Sequence, residues 1–318
     1  MNKVERVQKA FRGEKTDHTP VCMWKHVSPQ LWDNDDLFIK DQLDFYKATD
    51  VDFIKLSADK YFGWPAPVLK DLQHAKTLYQ IKPIGENHPF IRGQIERTKR
   101  LLHELGRDCS AFYLIFCPLS YLRLQIGYPK MMEMMREDPE ALLYAQTVIA
   151  EDVKKLVQGI LEEAGADGIF FSVQNAEQNR FSFETYRKYI TPAEKDVLAF
   201  ANARSNMNIL HCCAWEEVAN RLEDWADYHT SVVSWSRFID GMDVCDAKKK
   251  FGCTVWGGFD NRPNTLLYTG TRKEIEKETQ RLIEEGNGSG YIIGADCSIY
   301  DELPTERIRW ICDLAHSI

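Results

Sequence analysis

Apolar residues in this chain gather in short, near-continuous runs that recur along its length. They read "HTPVCMW", "DFIKLSA", "AFYLIFCP", "GIFFSVQ", "MNILHCC", "SVVSWS", "CTVWGGF" and "YIIGADC". Such runs suit strands of a parallel sheet, buried on both faces. Between them the pattern changes to helical. "DPEALLYAQTVIAEDVKKLVQGILEEAG" offers Asp138 as N-cap, Pro139 at the first helical position and Gly165 as stop. "TPAEKDVLAFANAR" and "TRKEIEKETQRLIEEG" each open with a Thr-x-x-Glu capping box, Thr191/Glu194 and Thr271/Glu274. Eight strands with helices between them predict an α/β fold, a (β/α)8 TIM barrel over residues 1–318 as a single domain. An open doubly wound sheet is the alternative, but it usually has fewer strands. The stretch 59–110 exceeds an ordinary strand-to-helix connection. It predicts an inserted segment near the barrel mouth, with "KTLYQIKPIGENHPF" as a hairpin.

Composition narrows the class. The chain has 318 residues, 44% hydrophobic and 28% charged, with a net charge of −8. No basic run exceeds "DAKKK", which argues against nucleic acid as a partner. No apolar run approaches the roughly 20 residues that span a bilayer. The opening "MNKVERVQKAFRGEKTDHTP" reads as a charged amphipathic helix, not a secretory leader. Nine scattered cysteines, an odd number, fit a reduced, cytoplasmic protein without disulfides.

Chemistry concentrates where the fifth and eighth runs end. "NILHCCAWEE" closes on His211, Cys212 and Cys213. Side chains alternate along a strand, so His211 and Cys213 share one face and Cys212 takes the other. Barrel enzymes work at the C-terminal ends of their strands, and Cys297 stands at that end of the eighth run. A His-Cys-Cys set suits Zn²⁺ and leaves a fourth position open, as catalytic zinc requires. Two other readings stay open on this pattern: buried cysteines acting as small hydrophobes, and a Cys/His nucleophilic pair, for which no orienting third group stands out.

"ERVQKAFRGEKTDHTPV", "GADGIFFSVQNAEQNRFSFETYRKYITP" and "VWGGFDNRPNTLLYTGTRKEIEKETQRLIEEGNGSGYIIGADCSIYDELPTERI" resemble the uroporphyrinogen decarboxylase family. The resemblance spans nearly the whole chain and implies a single-domain (β/α)8 barrel. The decarboxylase itself carries an Arg-Gln-Ala-Gly-Arg signature after its first strand and Gly-His-Gly after its last. Here those stretches read "CMWKHVSP" and Ala295-Asp296-Cys297, so a polycarboxylate substrate loses its expected partners. His211, Cys213 and Cys297 instead match, position for position, the zinc ligands of the corrinoid (methylcobamide) methyltransferases of the same superfamily.

That resemblance implies Zn²⁺ on His211, Cys213 and Cys297, and a methyl group moved between a small methylated substrate and the cobalt of a corrinoid. No Asp-x-His-x-x-Gly cobalt-ligand signature occurs, so the corrinoid, or cobalamin, is expected on a separate partner protein docking over the mouth. The soft ligand set suits a thiol acceptor, as in a methylcorrinoid:thiol methyltransferase. Aromatics at the strand ends, Trp24, Phe116, Trp235, Trp256 and Phe259, with Tyr61, Phe62 and Trp64, favour a flat aromatic methyl ether and O-demethylase chemistry; plain barrel packing is their other reading. Substrate contacts are expected from Trp24, Lys25, Trp256 and Ser234, from Asp260, and from Gln174, Asn175 and Glu177 after the fourth run.

Overall fold

The computed structural model describes residues 1–318, the side chain of Trp215 apart. Seven strands form one parallel sheet in sequence order: β1 (Phe53–Leu56), β2 (Ser110–Phe116), β3 (Gly168–Val173), β4 (Ile209–Cys212), β5 (Val232–Trp235), β6 (Thr254–Phe259) and β7 (Tyr291–Ala295). Every residue in them is buried, as their near-continuous apolar character predicts. They coincide with the second to eighth runs.

The first run closes the barrel without forming a continuous strand. It lies between β7 and β1, bridging in parallel at Val21–Ile293 and Lys25–Ile299. Cys22 N–H donates to Ile293 O (2.9 Å), Ile293 N–H to Pro20 O (2.8 Å) and Asp52 N–H to Val21 O (2.8 Å). Pro20 has no N–H to give, so the ladder is interrupted from its start. Closure also needs Gly294. A Cβ there would lie 2.2 Å from Trp256 Nε1, which donates to Cys22 O at 2.9 Å.

Aromatic layers fill the interior. Phe11, at the end of the helix Lys3–Phe11, stacks on Phe112 at 4.8 Å and meets Phe53 edge-on at 6.0 Å. Above them Trp256 packs on Phe53 (4.9 Å) and Trp24 (4.6 Å), and Phe170 packs on Trp24 (5.2 Å). The amphipathic first helix therefore plugs the N-terminal end, and open space is left at the C-terminal end. One hydrophobic core runs from Val7 to Ala315.

Two local expectations are corrected. The stretch after β1 contains no hairpin: it forms 3₁₀ turns at Pro67–Leu69 and Ala75–Gln80, then the helix Pro89–Leu105. Leu78 and Ile81 bury as anchors, and His88, with Pro89 behind it, caps the helix by accepting from Phe90 N–H. At Thr191 there is no capping box, because Glu194 is buried and accepts from Tyr186 and Tyr228 hydroxyls instead.

Candidate metal centre

β4 and β7 deliver three soft ligands to one point. His211 lies within β4, and Cys213 extends its pairing through an N–H bond to Val173 O at 3.1 Å. Cys297 follows β7 by two residues. The ligand atoms of His211, Cys213 and Cys297 all lie within 4.8 Å of one another. Cys297 Sγ is 3.6 Å from His211 Nε2. With Zn–S near 2.3 Å and Zn–N near 2.0 Å, a tetrahedral ion sets neighbouring S and N ligands about 3.5 Å apart. The residues present fit a zinc ion. Cys212 faces outward and is fully buried behind the sheet.

Neighbours hold each ligand in place. His211 Nδ1 is 3.1 Å from Ser234 Oγ on β5, which leaves Nε2 for a metal when Nδ1 carries the proton. Phe170 stacks flat on the imidazole at 4.8 Å, and Trp24 meets it edge-on at 5.5 Å. Gln174 Nε2 donates to Cys213 Sγ at 3.5 Å, while its Oε1 accepts from Arg123. Cys297 is held well below the usual thiol range, chiefly by the Cys213 thiol donating to it and then by His211; Cys213 is pushed up correspondingly.

The centre opens into a chamber of about 620 Å³. Trp24, Phe62, Phe116 and Phe170 form apolar walls, with Gln174 and Lys55 among the polar groups. Trp256 and Phe259 are buried in the core below, and Ser234 touches His211. Lys25 turns away from the chamber to Asp41 (3.0 Å) and Asp301 (3.2 Å). Asp260 holds Arg262 at the rim, at 2.6 Å. Asn175 and Glu177 are fully buried beyond the chamber wall. Asn175 adopts a left-handed φ of 73°, and Glu177, 3.1 Å from Arg180, is pushed up to about 6 by burial. Asp296 points away from Cys297, accepting from Ser236 Oγ (3.2 Å) and Phe238 N–H (2.8 Å).

Sequence reasoning missed Lys55, whose side chain lines the chamber from β1. The one signal was a lysine inside an otherwise apolar run. It also missed Phe170 as the ring against His211. His18, Asp52 and His316 cluster at the closed end of the barrel. There Asp52 already accepts from Arg6 (2.6 Å) and Val21 N–H (2.7 Å), so a metal ion would sit against a guanidinium.

Among the described residues no helix is long and apolar enough to cross a membrane. A structure of a methyltransferase from Methanosarcina mazei superposes with a TM-score of 0.77 at 18% identity, covering 100% of this chain and 99% of that one. A putative vitamin-B12 independent methionine synthase from Listeria monocytogenes superposes at 0.57 with 14% identity, over 96% and 98%. These likenesses show the fold. A curated uroporphyrinogen decarboxylase from Sorangium cellulosum (strain So ce56) is 23% identical over 353 residues, covering 99% of this chain and 96% of the relative. The uroporphyrinogen decarboxylase family model matches residues 49–318. The chain belongs to the uroporphyrinogen decarboxylase family.

Proposed function

We propose that the protein is a zinc-dependent methyltransferase that moves a methyl group between a small methylated substrate and the cobalt of a corrinoid held by a partner protein. The observation that carries this reading is the convergence of His211, Cys213 and Cys297, their ligand atoms all within 4.8 Å of one another, on an aromatic chamber. When bound there, zinc supplies a mild Lewis acid, since two thiolates and a neutral imidazole leave its formal charge near zero. Ser234 holds the imidazole through Nδ1 and Gln174 donates to one ligand sulfur. Trp24, Phe62, Phe116 and Phe170 suit a flat substrate and exclude water around it. They favour an aromatic methyl ether over a small thiol, and hence demethylation.

Decarboxylation of a tetrapyrrole is the second reading, favoured by the name of the Sorangium relative. A polycarboxylate needs several cations. Among the described residues the chamber wall offers only Lys55 and Arg262 as basic side chains besides two histidines, and Arg262 is tied to Asp260.

The test is metal analysis joined to a transfer assay with a phenyl methyl ether and cob(I)alamin. Cys297→Ser is expected to lose most of its zinc and at least about 100-fold in rate while staying folded, because a mouth ligand is not part of the core. Cys212→Ser is expected to keep zinc and lose stability instead. Zinc retained in the Cys297 variant sinks the metal assignment, and absence of transfer by zinc-loaded wild type sinks the reaction.

A further inference from the structure

We propose that Lys55 is the specificity-determining residue of the chamber, and that the ligand it reads carries an ionised acidic oxygen group of the carboxylate class. Lys55 lies on β1, is only 5% exposed, and is the sole buried lysine among the described residues. No acceptor among them lies within hydrogen-bond or ion-pair distance of its ammonium, which stands over the Phe170 ring, 5.5 Å from Nζ to the ring centre. The nearby acid, Asp59, is committed elsewhere, accepting from His26 Nδ1 (2.8 Å) and Val27 N–H (2.5 Å).

The ammonium opens on the chamber with no protein acceptor in reach, so an anionic oxygen arriving there gains a charge-assisted contact. Burial pushes Lys55 down to about 8, with Asp59 opposing. The Phe170 ring that it faces is the ring stacked on His211 at 4.8 Å. One flat ligand can therefore lie along the aromatic wall, with a heteroatom toward His211, Cys213 and Cys297 and an anionic oxygen toward Lys55. Arg262, the other basic side chain named above, sits at the rim with its guanidinium bound by Asp260.

That the ligand is also methylated rests on the function proposed above; the anion site does not. The probes are benzoate and its near-isostere benzamide, titrated by calorimetry into the zinc-containing full chain. Wild type is expected to bind benzoate about tenfold more tightly than benzamide, the value of one charge-assisted contact. Lys55→Met is expected to erase that preference with zinc content unchanged and melting temperature equal or higher, because an unpaired buried charge has gone. Lys55→Arg, which keeps the cation, is expected to retain part of it and serves if the Met variant does not fold. Equal binding of the two probes by wild type overturns the proposal. So does a Lys55→Met protein that still prefers benzoate, since the carboxylate would then be held by the metal. Benzoate preference without methyl transfer sinks the reaction and keeps the anion site; transfer without preference does the reverse.

Discussion

Gln174 shows how single side chains tune the centre. Its amide is held from one side by Arg123, which fixes the flip that points Nε2 at Cys213 Sγ. A donor aimed at sulfur stabilises the thiolate and orients it. Gln174→Leu is expected to weaken zinc binding about 10- to 100-fold, the usual cost of losing an outer hydrogen bond to a ligand. Competition with a chelating dye measures it, and an unchanged affinity would show that the contact does nothing. That His211 and Cys213 share a face was legible in the sequence because strand alternation dictates it, and Cys297 was marked by the end of the eighth run and by the family resemblance; the structure brings the three together. Lys55 was not legible, because a lysine in an apolar run reads as core with its head led out to water, and only three dimensions reveal that its head meets a chamber. Lys25 read as a mouth residue; Asp41 and Asp301, remote from it in sequence, turn it aside.

At the scale of elements, a cap is legible when its partners are local. Asp138 accepts from Glu140 N–H and Ala141 N–H, Pro139 follows at the first helical position, and Gly165 ends the rod in left-handed geometry at φ 86°. Thr271/Glu274 likewise forms its full capping box. Thr191/Glu194 carries the same letters and fails, because two tyrosine hydroxyls from outside the turn claim the carboxylate. Asp138→Ala is therefore expected to cost about 1 kcal/mol of stability, read as a lower denaturation midpoint at unchanged slope, with zinc content unaffected. A loss within error would mean that the end of this helix is held by packing alone. The false hairpin rests on the length of the connection alone; the buried positions Leu78 and Ile81 are three apart, the spacing of the 3₁₀ turn that buries them.

For the molecule as a whole, the two chain ends are joined beneath the barrel. Arg6 of the first helix, Asp52 at the base of β1, and His18 and His316 from opposite ends of the sequence meet there, the two imidazoles 4.5 Å apart. Burial, with the Arg6 charge added, lowers His18 to about 4 from an ordinary 6.5, and Asp52 opposes without prevailing. The folded protein therefore keeps His18 neutral where the unfolded chain would protonate it. That preference contributes fully above pH 6.5, declines as pH falls, and is gone below about 4. Asp224 and Asp240, both pushed up to about 6 by burial, act in the opposite sense over an overlapping range, so the His18 contribution is isolated by difference. Between pH 7 and 4, wild type is expected to lose roughly 1–2 kcal/mol more stability than His18→Gln, measured by chemical denaturation at intervals of pH. Parallel curves for the two proteins would show that the imidazole protonates as readily folded as unfolded, and that the chain ends are joined by packing and the Arg6–Asp52 pair alone.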